Sequence, residues 1–153
     1  MAQARFEFRL EALLSHREQI EKDKQRKLAA VGQQIQAVVR HIQDTQTRIS
    51  DENRTLGAKE LTGSLDMQYI ATEKRYVGNL HLRIALAMDR LRELEKQQVA
   101  ARAELLRAAT ERKVIEKLRD KQLAAWRLEI ERKDAAQTDE IGIQLAARRP
   151  ITQ

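Results

Sequence analysis

The sequence predicts an all-α protein, an antiparallel two-helix coiled-coil hairpin whose second helix is longer than the first. Three observations carry this. Apolar residues recur at alternating steps of three and four along most of the chain. Proline is confined to Pro150. One glycine-bracketed stretch, LGAKELTGSL from Leu56 to Leu65, interrupts the pattern. The expected single domain is a helix over about 5–56, a turn over 57–64, a helix over about 65–136 and a flexible tail over about 142–153.

The second helix is the clearest element. Ile70, Val77, Leu80, Ile84, Ala87, Leu91, Leu94, Ala101, Leu105 and Ala108 form one seam, interrupted by Glu73 and Gln98. A seam repeating every ~3.5 residues drifts around a helix of ~3.6 residues per turn, so the helix must supercoil against a partner to keep it covered.

In the first helix, Phe6, Leu10, Leu13 and Ile20 share a seam that Leu14 widens. Leu28, Val31, Ile35, Val38, Ile42, Thr45, Ile49 and Leu56 continue it in a different heptad frame. The register slips inside the charged block EKDKQRK, Glu21–Lys27, a stutter that relaxes the supercoil locally. Acid-first pairs four apart, such as Glu18–Lys22, add roughly 0.2–0.5 kcal/mol each and support the helix without deciding it.

The break follows turn chemistry. Gly57 suits the left-handed residue that ends a helix. Thr62 and Ser64 are candidate N-caps for the next one, and Asp66 favours its positive first turn. So short a loop makes the helices antiparallel neighbours. Folding about Glu60 sets residue i opposite about 121 − i, so Phe6 is expected near Ile115 and His41 near His81. At ~1.5 Å per residue the helices would be roughly 78 and 108 Å long, leaving everything beyond about Leu118 without an intramolecular partner. An unpaired helix gains little from its own hydrogen bonds, so this overhang is expected to await another chain; its lone Trp126 reads either as a ring lying along its own helix or as an anchor for that chain.

Composition excludes several classes. With 42% hydrophobic residues, only 3% aromatic and thin apolar seams, there is little volume for a catalytic pocket. No cysteine is present, so disulfides and thiolate metal sites are excluded. His16, His41 and His81 lack the ligand set of a zinc site. The phosphate-binding, dinucleotide, nucleophile-elbow and zinc-protease motifs are absent, so no catalytic residue, cofactor or metal is expected, and no small-molecule substrate. Lys and Arg number 29 against 23 acids, a net charge of +6, but the signs are mixed and the aromatics are not interleaved with the bases. That is the pattern of salt-bridged helices rather than of a nucleic-acid grip. No apolar run approaches the ~20 residues of a membrane span, and the N-terminus lacks a signal-peptide core, so a cytoplasmic protein is expected.

Three segments together resemble the FliJ family of the flagellar type III export apparatus and its YscO-type virulence-secretion relatives. They are FEFRLEALLSHREQIEKDKQRKLAAV (Phe6–Val31), LDMQYIATEKRYVGNL (Leu65–Leu80) and ERKVIEKLRDKQLAAWRLEIERKDAAQTDE (Glu111–Glu140), which ends in the Asp139–Glu140 pair. Their order and spacing cover nearly the whole chain. The resemblance implies a non-enzymatic stalk similar to the central subunit of rotary ATPases, peripheral to the inner membrane. It also implies three partners: the hexameric export ATPase ring (FliI-like), the export gate protein (FlhA-like) and export chaperones. On this reading Phe6, Phe8, Lys117, Arg119, Lys121 and Trp126 meet the ATPase, and Tyr69, Tyr76 and Leu80 meet the gate. The isolated chain is expected to be a monomer, whereas a generic scaffold coiled coil would dimerise.

Overall fold

The computed structural model describes residues 5–61, 63 and 66–148. They form two helices packed against each other, α1 (Glu11–Leu61) and the longer α2 (Met67–Ala147). No strand occurs among the described residues. The packing divides into two units. A terminal unit comprises the chain up to Glu21 and from Ala108 onward, and a middle unit comprises Lys22–Arg107. The division at Glu21 falls in the charged block where the seam changes register.

In the middle unit the two seams meet as their spacing predicts. Val31, Ile42, Ile49 and Leu56 of α1 are buried with Leu80, Leu94 and Ala101 of α2. Thr45 is the one buried polar residue among those described, and its hydroxyl donates to the carbonyl of His41 at 2.7 Å. That bond lets a polar residue occupy a seam position without an unsatisfied group.

The turn lies later than expected. α1 runs through Gly57 to Leu61. A helical glycine costs about 1 kcal/mol, and the good helix formers of AKEL that follow it carry the helix on. The left-handed residue is Gly63, with φ of 70°, whose N–H donates to the carbonyl of Glu60 at 3.4 Å. α2 is capped by Asp66, whose carboxylate accepts the N–H of Gln68 at 3.0 Å. The alternative caps, Thr62 and Ser64, lie outside the described residues.

Moving the apex from near Glu60 to between Leu61 and Met67 shifts the cross-helix partners by about two to three helical turns along α2. In the middle unit Lys24 meets Glu104, at 2.8 Å. In the terminal unit Arg17 meets Glu111, at 2.5 Å, and Phe6 meets Trp126 rather than Ile115. His41 therefore lies beside Ala87 and not beside His81.

In the terminal unit α1 begins at Glu11, not near residue 5. Residues two apart on a helix point in nearly opposite directions. Placing both Phe6 and Phe8 against α2 therefore requires a non-helical approach, closed by the Glu11 N–H donating to the Phe8 carbonyl at 3.1 Å. At the other terminus α2 continues through Gly142 to Ala147, past the point where a tail was expected. One glycine among Ile, Gln, Leu and Ala does not outweigh helix propagation. From Glu131 to Arg148 the chain is exposed throughout.

Candidate functional site

Two surfaces concentrate the residues that the sequence singles out. The first is an open cleft in the terminal unit, of about 700 Å³, lined by Arg5, Phe6, Glu7, Phe8, Glu11, Arg119 and Leu123. Phe8 is buried, and Phe6 tilts at 55° against Trp126 with ring centroids 5.8 Å apart, a favourable aromatic geometry. Trp126, expected to have no neighbour within the chain, is thus held by the N-terminal segment. The unpartnered part of α2 starts after Ile130 instead of after Leu118.

The cleft is framed by charge. Arg119 lies 3.9 Å from Glu11, and Arg17 bonds Glu111. Arg112 joins Glu21 across the helices and Glu116 one turn along its own, and it is the least exposed of these bases. The hydrogen bond to Glu21 raises the Arg112 guanidinium above its ordinary pKa. These pairs bridge the two helices within the terminal unit.

The structure separates the six residues expected at this end. Phe6, Phe8, Arg119 and Trp126 come together around the cleft. Lys117 and Lys121 stand exposed on a different face of α2, four residues apart. Lys113, which the sequence reading missed, extends them into a ridge at i, i+4 and i+8, and none of the three has an ion-pair partner among the described residues. The helical spacing alone could have found it.

The second surface is next to the turn, in the middle unit. Tyr69 and Tyr76 are 37% and 36% exposed, whereas Leu80 is only 1% exposed. Leu80 is therefore core, because the helices have closed on each other by that point, and it cannot itself touch a partner. The Lys59 ammonium lies 4.0 Å from the centroid of the Tyr69 ring and donates to its hydroxyl at 2.5 Å. Leu61 and Met67, which the sequence reading did not single out, are 90% and 77% exposed beside the turn. Isolated apolar residues are poor signals in a sequence; only the observed turn puts these two together.

Both surfaces are open and set aromatic side chains beside charged ones, a combination common in protein contacts. Among the described residues no group of His, Asp and Glu could hold a metal ion, and no helix is long and apolar enough to cross a membrane. A sequence model of the family described as flagellar FliJ protein matches residues 6–150. No curated protein and no solved structure matches the chain.

Proposed function

Because the chain belongs to the FliJ family, a non-catalytic coiled-coil component of flagellar protein export, we propose that it works as a stalk for the export ATPase. In this reading the terminal unit engages the ATPase ring, and the turn-proximal face engages the gate protein. The same chain assists delivery of export chaperones and their cargo at the cytoplasmic side of the inner membrane. The ATP chemistry belongs to the ring, so the stalk requires no active site of its own.

The observation that best supports the ATPase assignment is the arrangement of the terminal unit. An aromatic cleft, a lysine ridge and the exposed α2 segment 131–148 lie on one unit without intramolecular cover. The two faces suggest different jobs: the Phe6–Trp126 contact holds the end of the stalk together, and Lys113, Lys117 and Lys121 offer charge to an acidic lining. For the gate, Tyr69 and Tyr76 are the accessible anchors, and Leu80 acts by holding α2 in place beneath them.

Stimulation of the cognate ATPase by the full chain is the test. Replacing Lys113, Lys117 and Lys121 by Glu is expected to reduce stimulation at least tenfold while leaving helicity intact. Undiminished stimulation would sink the assignment. In pull-downs with the gate protein, Tyr69→Ala with Tyr76→Ala is expected to lose binding while ATPase stimulation persists.

A further inference from the structure

A shallow groove in the middle unit belongs to neither surface. It has a volume of about 480 Å³ and is lined by Ala37, Val38 and His41 of α1 and by Arg83, Leu86, Ala87 and Arg90 of α2. It exists because small side chains meet here. Ala87 is a small residue on the α2 seam, and Ala37 adds only a methyl at the exposed edge of α1, so the space between them is left open. The wall is a leucine turned outward, Leu86, which is 61% exposed. Arg83 and Arg90 stand on the α2 side seven residues apart, about 10 Å along the axis. Both are exposed, and neither has an ion-pair partner among the described residues.

We propose that this groove is a docking site for an acidic amphipathic helix of another protein. Such a helix would lay an aliphatic side chain between Ala37 and Leu86 and present carboxylates to Arg83 and Arg90. Bidentate carboxylate recognition is what a free guanidinium offers best, and an apolar floor adds area that a phosphate backbone could not use. Charge disfavours a second copy of this chain: a two-fold pairing through the groove would set Arg83 of one against Arg90 of the other. Asp44 and Glu93, three residues beyond His41 and Arg90, restrict the acidic demand to the middle of the groove. The proposal does not depend on the stalk reading.

The experiment pans a phage-displayed library of helical peptides on the full-length chain and synthesises the enriched peptide for calorimetry. The expected winner carries an aliphatic stripe flanked by Asp or Glu two turns apart. It is expected to bind at least tenfold more weakly to Ala37→Leu, which fills the groove from an exposed helical position, and to the Arg83→Glu/Arg90→Glu pair. Circular dichroism checks that both variants keep their helicity. Lack of enrichment, winners rich in Lys or Arg, or equal binding to Ala37→Leu would overturn the proposal. Two reassignments would overturn it equally. Duplex DNA binding that Arg83→Glu/Arg90→Glu loses and Ala37→Leu keeps would point to a phosphate backbone. A concentration-dependent dimer abolished by Leu86→Glu would give the groove to a second copy.

Discussion

The middle and terminal units solve the same problem, keeping two helices together, with different materials. The middle unit relies on repetition: Val31, Ile42, Ile49 and Leu56 against Leu80, Leu94 and Ala101, one aliphatic layer after another. The terminal unit buries few aliphatics, Leu14 and Ala108, and adds two phenylalanines, a tryptophan and the ion pairs of Arg17, Glu21, Arg112 and Arg119. Periodic layers are tolerant of what lies outside. Aromatic and ionic contacts are few and specific, and a competing partner can replace them. The difference is between a unit built on repetition and one built on a few individual contacts.

The largest effect expected is in the middle. Leu94 is wholly buried, and Leu→Ala in a core costs roughly 2–5 kcal/mol; in a two-helix seam, which can close over the gap, about 2–3 is expected. Thermal melting followed by circular dichroism measures it. Trp126 fluorescence, the sole tryptophan signal, reports the terminal unit in the same sample. If Leu94→Ala moves both transitions equally, the two units unfold as one and the contrast is only compositional. Next is Phe6→Ala. The Phe6–Trp126 pair contributes about 0.5–1.5 kcal/mol beyond the area it covers. The substitution is expected to red-shift Trp126 emission at once and to lower the fluorescence transition, leaving the bulk of the helical signal in place.

The same contrast explains what the sequence made legible. Seam residues such as Ile42, Ile49, Leu80, Leu94 and Ala101 were readable because periodicity is a property of many residues, and no single error disturbs it. The register between the helices was not. It depends on where one turn falls, and two glycines six residues apart competed for that place. A turn at Gly57 instead of Gly63 displaces the pairing by about two turns or more and leaves Trp126 without Phe6, the aromatic that the structure sets against it. Leu80 shows a related limit: its seam position and its assignment to the gate surface could not both hold. The lysine ridge was legible in principle and was obscured by acids on the neighbouring faces.

Gly57 and Gly63 sharpen that lesson in a smaller effect of opposite signs. A Cβ at Gly57 would meet nothing within 4 Å, and the residue is helical. Gly57→Ala is therefore expected to stabilise the chain by about 0.5–1 kcal/mol. A Cβ at Gly63 would also meet open space, but at φ of 70° a side chain is strained, so Gly63→Ala is expected to destabilise by a similar amount. Chemical denaturation of the two variants side by side checks both signs. A destabilising Gly57→Ala beside a neutral or stabilising Gly63→Ala would return the turn to Gly57.

The smallest expected effect concerns Glu104 in the middle unit, which receives hydrogen bonds from Lys24 at 2.8 Å and from Lys27 at 3.3 Å. These bonds hold its carboxyl below the usual carboxylate range. A carboxyl with a lower pKa folded than unfolded binds fewer protons in the folded state, so its contribution is complete above the unfolded value. It is lost as the pH falls through the folded one. Glu104→Gln is therefore expected to lower the melting temperature slightly at neutral pH. The gap should close as the pH drops below the carboxylate range, and narrow with added salt because the pair is solvent-accessible. A constant difference at every pH would mean that Glu104 acts through packing of its stem and not through its charge.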